Sequence, residues 1–247
     1  MRLVLAQLRM ELTTLVRNYE QLLLIMVIPV GVLVFFGNVA VLPDSITLTR
    51  LVASVLTLSL ISTAMVSTGI ATGFERSYHV LKRLGVTPLG RGRLIWAKAG
   101  SVSVVELVQV TVLVAIAVGL GWSMVDMSWW RLALALLLGT AAFAGIGLCL
   151  AGRLRAEANL AAQNGLYLVL LALGGVIVPV DDLPDSLGAV ARYLPSGALA
   201  EVMHASLGGA PSGVWMFIDS PLGAWLVLAI WALIAPLAAA RLFRFDG

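Results

Sequence analysis

The sequence predicts an all-α integral membrane protein, with six transmembrane helices and an N-terminal interfacial helix. Three observations carry this. Charged residues make up 12% of the 247-residue chain, against roughly 25% in a soluble domain. The mean hydropathy of +1.01 requires lipid to solvate most of the chain. Six apolar stretches approach the ~20 helical residues needed to span ~30 Å of hydrocarbon. They are too long and too weakly alternating for barrel strands, so helices must satisfy the backbone in lipid.

Residues 1–20 precede the first span. Leu5, Leu8, Leu12, Leu15 and Val16 recur at helical spacing, with Arg2, Arg9, Glu11 and Thr13 directed elsewhere, the pattern of a helix lying in the membrane interface. Such a helix either anchors the first span or also touches a soluble partner. Arg9, Glu11 and Arg17 interrupt the stretch, so no cleaved signal is expected. Span one, 21–41, carries Pro29 and Gly31 and should kink. Span two covers 51–73, span three 99–119, span four 130–152, the short span five 160–178, and span six 222–242 with Pro236 inside. Gly69 with Gly73, and Ala141 with Gly145, form small-xxx-small pairs that predict close helix approach. Trp96, Trp122, Trp129, Trp130 and Trp215 lie at predicted span ends, where indole rings favour the headgroup zone.

Loop charge sets the orientation. With a cytosolic N-terminus, thirteen basic residues fall inside (Arg2, Arg9, Arg17, Arg76, Lys82, Arg83, Arg91, Arg93, Lys98, Arg153, Arg155, Arg241 and Arg244), and Arg50, Arg131 and Arg192 fall outside. Both termini are therefore expected in the cytosol. Six of the sixteen basic residues sit in the loop 75–98, the one sizeable feature facing water. His79, Lys82 and Arg83 are spaced for a short amphipathic helix that Gly85 and Pro88 would end. A rigid helix held between two spans can transmit force. The same cations also satisfy the positive-inside rule and bind anionic lipid.

Composition excludes several functions. The net charge of +3 and pI near 9.4 reflect cations flanking apolar runs rather than a basic patch with aromatics, so nucleic acid is not an expected partner. Cys149 is the single cysteine, so no internal disulfide forms. No Gly-x-x-x-x-Gly-Lys-Ser/Thr loop occurs, so the chain does not cradle nucleotide by that route. His79 and His204 are the only histidines, and neither lies mid-span beside a carboxylate, which argues against a membrane transferase or protease, a metal site or a bound cofactor. The two halves look unalike and the midplane is nearly free of charge, unlike a secondary transporter. A secondary transporter and a non-transport scaffold stand as alternatives.

The segment GFERSYHVLKRLGVTPLGRGRLIWAK, residues 73–98, resembles the signature loop of ABC type 2 exporter permeases, in which an acidic residue ends span two and Thr-Pro-Leu follows a short basic helix. In GGVIVPVDDLPDSLGAVARYLPSGALAEVMHASL, residues 174–206, Pro179, Pro184 and Pro195 match the rhythm with which those permeases close span five and enter an outer helix. The resemblance implies a transmembrane subunit, similar to daunorubicin-resistance permeases, of an exporter in the bacterial inner membrane. A separate ABC ATPase, as two copies or a heterodimer, would hold ATP and Mg, and a second permease chain, identical or related, would complete the pathway. Glu75, Arg76, His79, Lys82 and Arg83 would dock the ATPase, with Thr87 and Pro88 holding the exit geometry. Residues 179–215 would form the outer segment, a re-entrant outer helical segment between spans five and six. The implied cargo is a drug or lipid-like molecule; polysaccharide and haem export are alternatives.

Intramembrane polar residues give a candidate pathway or gate: Ser59, Thr63 and Ser67 on span two, Glu106 on span three, and Asn159, Gln163 and Asn164 at the start of span five. Hydroxyls in lipid also bond back to their own helix or pack against a neighbour, and the span-five residues also read as helix-start polarity beside Glu157. Glu106 needs a proton, a partner or water, because an acid at mid-membrane costs on the order of 3 kcal/mol. Gln109 and Lys98 are the expected partners. Structural pairing and a part in coupling or proton linkage both stand.

Overall fold

The structure, a computed structural model, describes residues 2–39, 46–80, 90–176, 180, 183–210, 214–215, 218–219 and 221–242. Among the described residues the regular structure is helical apart from two paired two-residue strands. Helix α1 is Arg2–Arg17 and α2 is Tyr19–Asn38, with Pro29 inside. A long helix α3, Leu48–Ser77, contains a π-helical segment at Ser62–Ser67. Then follow α4, Gly90–Gly119; α5, Trp129–Ala151; α6, Ala156–Leu173; α7, Asp185–Ala191; and α8, Pro195–Ser206. Strands β1, Val214–Trp215, and β2, Ile218–Asp219, pair antiparallel before α9, Leu222–Leu242.

Among the described residues, four helices are long and apolar enough to cross a membrane: Leu48–Ser77, Lys98–Gly119, Trp129–Ala151 and Leu222–Leu242. Ile25–Asn38 of α2 is apolar but shorter. In α6, Glu157, Asn159, Gln163 and Asn164 dilute the apolar character of an 18-residue helix.

Helix α3 is the axis of the bundle. In its most apolar window 67% is buried within the protein, against 39–44% for the other three long apolar helices. Thr47 caps its N-terminus by accepting from the Arg50 N–H at 3.2 Å. Its first half packs on α2, α4 and α8, and its last turns on α5 and α6. Leu56, Leu60, Ile61 and Met65 meet Leu113, Phe143, Leu199 and Met203 in the core.

Glycine sets the closest approaches. A Cβ on Gly147 of α5 would lie 2.6 Å from the Met65 carbonyl oxygen in the π segment, and one on Gly145 would lie 2.6 Å from the backbone of Ala235 and Pro236 in α9. The small pair anticipated at Ala141 and Gly145 therefore marks, through Gly145, the α5–α9 seam. The pair Gly69 and Gly73 marks the α3–α6 seam, where added Cβ atoms would lie 2.0 Å from Gln163 Nε2 and 2.4 Å from Asn159 Nδ2.

The segment after α6 folds back into the bundle. Gly174 closes α6 and Gly175 takes φ 68, which an L side chain resists. Helix α8 starts on Pro195 and is buried from Pro195 through Met203 against α3, α5 and α9. The buried Arg50 guanidinium ties this end together, pairing with Glu201 of α8 at 3.1 Å and donating to the Gly175 carbonyl at 3.3 Å. Arg50 is thus a packing residue rather than a loop charge.

The aromatic belt needs correction. Trp129 and Trp130 are exposed, but Trp122 and Trp215 are buried, and Trp122 donates its indole N–H to Thr49 at 3.2 Å. These two rings pack the protein instead of meeting headgroups. Trp96 lies where side chains are not described.

Substituting Gly147→Ala should lower stability by about 1–3 kcal/mol through overpacking against the Met65 carbonyl. Gly31→Ala, where an added Cβ meets nothing within 4 Å, should leave the thermal midpoint in detergent unchanged or slightly raised. Equal midpoints for the two variants would contradict the packing described.

Candidate functional site

Helices α1, α3 and α4 enclose a cleft of about 90 Å³. Its walls are Glu11, Thr14, Leu15 and Asn18 of α1 and its exit, Thr63, Ser67, Thr68, Ala71 and Glu75 of α3, and Lys98, Ser101, Val102 and Val105 of α4. The Lys98 ammonium lies 2.7 Å from Glu75 Oε2 and 3.3 Å from Glu11 Oε1, so one cation joins all three helices. Gln7 donates to Glu11 at 2.9 Å and fixes it from the previous turn. With side chains 12%, 16% and 25% exposed for Lys98, Glu11 and Glu75, the triad is largely screened from water and sets two carboxyl groups against one ammonium.

The same α1 helix shows an apolar stripe outward. Leu5 and Val16 are exposed beside Leu8 and Leu12, flanked by Arg9, Thr13 and Arg17. Leu8 also reaches Gly100, where a Cβ would touch its Cδ1 at 3.5 Å. One face of α1 thus seats on α4 while apolar side chains stay uncovered, the arrangement expected of an interfacial helix.

The residues anticipated for docking separate. Helix α3 runs on to Ser77, so Glu75 and Arg76 belong to its last turn rather than to a loop; α4 likewise begins at Gly90. Glu75 faces the cleft. Arg76 is buried and turned inward, donating to the carbonyls of Gly152, at 2.7 Å, and Leu154, which fixes the α5–α6 turn. His79 is exposed where α3 ends, with φ 58, stopping the helix. Lys82, Arg83, Thr87 and Pro88 lie outside the described residues, as does the short amphipathic helix expected there.

The anticipated pathway residues also occupy separate places. Ser59 bonds back to the Leu56 carbonyl at 2.9 Å. Thr63 donates to Gln109 Oε1 at 2.9 Å, and Gln109 donates to the Ile25 carbonyl at 2.7 Å, linking α3, α4 and α2. Ser67 lines the cleft. Asn159 donates to the Gly69 carbonyl and Gln163 to the Gly147 carbonyl, each at 2.9 Å, and Gln163 also reaches Asn159 Oδ1 at 3.2 Å. These two amides are wholly buried, so they are interhelical ties rather than interfacial polarity at a helix start. Asn164 is exposed and bonds back to the Leu160 carbonyl at 3.0 Å.

Glu106 does not pair as anticipated. Gln109 is committed to Thr63 and Ile25, and Lys98 to Glu11 and Glu75; Glu106 instead meets the Thr140 hydroxyl of α5 at 2.5 Å. Thr140 gave no signal in the sequence, being one hydroxyl in an apolar run. Arg50 with Glu201 was equally hidden, because 151 positions separate them. Among the described residues no three His, Cys, Asp or Glu side chains converge as metal ligands. His204 sits near the Arg50–Glu201 pair, and burial, then the Arg50 charge, hold its imidazole below the usual range.

The profile of the ABC-2 type transporter family matches residues 2–207. The chain is also similar to YvfS, a candidate transport permease of Bacillus subtilis (strain 168), with 24% identity over 190 residues, covering 75% of this chain and 78% of the relative.

Replacing Lys98 with Met should leave Glu11 and Glu75 facing each other in the cleft and cost about 2 kcal/mol of stability, toward the low side of the loss for breaking a buried pair. Adding Glu75→Gln to Lys98→Met should recover part of that loss. Thermal melts of the two variants in one detergent check this; if the second substitution recovers nothing, the triad is not an electrostatic tie.

Proposed function

The chain belongs to the ABC-2 type transporter family, and on that premise we propose that it is the transmembrane permease subunit of an ATP-driven exporter in the bacterial inner membrane. Two permease chains form the pathway, and two ATPase subunits on the cytosolic side bind ATP and Mg. All six apolar segments span, and both termini are cytosolic. The profile match across residues 2–207 carries this reading; the lack of a phosphate-binding loop in this chain supports assigning ATP to a partner.

Coupling runs through the cytosolic end of α3. Movement of the segment after Ser77 by the ATPase pulls directly on Glu75 and Arg76. Glu75 passes it through Lys98 to α4 and α1, and Arg76 passes it to the α5–α6 turn. Nucleotide shifts the balance between inward and outward arrangements only by favouring one of them. A hydrophobic or amphipathic cargo is supported by the neighbouring cleft, which mixes charged and hydroxyl groups with apolar walls, and by the apolar α1 stripe, which together offer both chemistries to a molecule arriving from the inner leaflet.

Co-expression with a candidate ABC ATPase subunit and reconstitution in liposomes test the proposal. The complex should hydrolyse ATP, and Lys82→Ala with Arg83→Ala should lower hydrolysis about tenfold, equivalent to about 1.4 kcal/mol, while the permease still folds. Nucleotide hydrolysis by the purified chain alone, or surface labelling that places residues 75–98 outside the cell, would defeat it.

A further inference from the structure

Glu106 and Thr140 form a contact whose hydrogens can be counted. Glu106 is 4% exposed; its Oε2 lies 2.5 Å from Thr140 Oγ1, and its Oε1 is buried with no hydrogen-bond partner among the described residues. Thr140 Oγ1 also lies 2.7 Å from the carbonyl oxygen of Leu136, one turn back on α5. A hydroxyl carries one hydrogen and two lone pairs. The Leu136 carbonyl supplies no hydrogen, so in that contact the hydroxyl must donate. The hydrogen in the shorter contact then belongs to Glu106.

The surroundings favour the same assignment. An ionised Glu106 would accept at most a single hydrogen, leave Oε1 bare and face no cation among the described residues, an arrangement that burial strongly penalises. Each charged side chain described on a helix packed against α4 is engaged elsewhere or exposed. Glu11 of α1 and Glu75 of α3 hold Lys98, which lies eight residues, or ~12 Å along the helix, from Glu106. Arg9 and Arg17 of α1 are exposed. Arg50 holds Glu201, Arg76 holds the α5–α6 turn, and Arg131 of α5 lies over Trp130. The described side chains of α2 from Ile25 onward carry no charge.

We propose that Glu106 is a proton-binding site, its carboxyl donating Oε2–H to Thr140 Oγ1 so that the bound proton ties α4 to α5. These helices otherwise touch sparsely, which gives one hydrogen bond unusual leverage over their separation. Any arrangement that draws α5 away and admits water releases the proton: the O–H bond breaks, its electron pair stays on the carboxylate, and water takes the proton. Closing takes a proton up, so the α4–α5 contact and external pH are linked.

Infrared spectroscopy of the purified, full-length chain tests this without any partner or cargo, so its outcome is independent of the exporter assignment. At neutral pH the wild type should show a protonated carboxyl C=O band that Glu106→Gln lacks, and Thr140→Val should shift that band to higher frequency by removing the acceptor. The thermal midpoint of the wild type should fall on alkalinisation relative to that of Glu106→Gln, whose amide keeps its hydrogens. Identical carboxyl regions in wild type and Glu106→Gln, or parallel midpoints across pH, would overturn the proposal. Should Glu106→Gln fail to fold, the Thr140→Val band shift decides alone, and an unshifted band refutes the tie.

Discussion

Side-chain donors reaching backbone carbonyls of other helices hold this bundle together. Asn159 takes the carbonyl of Gly69, Gln163 that of Gly147, Arg76 that of Gly152 and Arg50 that of Gly175. These four acceptors are glycines, whereas the bonds from Gln109 to Ile25 and from Arg76 to Leu154 reach carbonyls of residues with side chains. A residue without a Cβ leaves its carbonyl open to a side chain from the neighbouring helix and lets that helix come close, so one substitution would remove both contact and access. Lipid provides no hydrophobic drive between helices, and unsatisfied polar groups there are costly. Close packing and satisfied donors therefore have to specify which faces meet.

The two ends of α3 use charge differently. At the Arg50 end one guanidinium meets one carboxylate, both essentially excluded from water, and the pair is neutral. At the Lys98 end two carboxylates share one ammonium and remain partly reachable by solvent. A buried neutral pair is strongly destabilised by losing either partner, so it fixes α3 against α8. The triad, less deeply buried and with two carboxylates for one ammonium, is less tightly constrained than that pair. The rigid joint and the adjustable joint thus occupy opposite ends of the same helix.

Some of this was legible in the residue pattern. The apolar runs, the amphipathic α1 and the glycine pairs follow from spacing alone, since helical periodicity and the absence of a Cβ are local properties. What escaped were contacts set by tertiary placement. Asn159 and Gln163 read as polarity at a helix start, yet α6 is inserted so that both amides are wholly buried. Lys98 was an expected partner for Glu106 on the same helix, but acids on α1 and α3 compete more closely for it. Trp122 and Trp215 read as belt residues because a sequence shows where an indole falls along a span, not the direction it faces. Helix ends moved too: α3 continues past Gly73 because Glu75 and Arg76 have partners within the fold, and a residue with φ 58 then stops it.

The π segment Ser62–Ser67 explains how one helix serves these different neighbours. A π turn inserts about one extra residue into the α register and so rotates everything beyond it. Before it, α3 presents its side chains to α2, α4 and α8; beyond it, Gly69 and Gly73 face α6 while the last turns face α5. Thr68 Oγ1 donates to the Thr63 carbonyl at 3.0 Å across the altered turn, and Gly147 of α5 lies against the Met65 carbonyl, too close for any side chain. A regular α-helix through 62–67 would turn the Gly69–Gly73 face away from Asn159 and Gln163, leaving two buried amides without their carbonyls. The irregular turn is therefore held by the contacts it makes possible, and the rigid and adjustable ends of α3 meet at it.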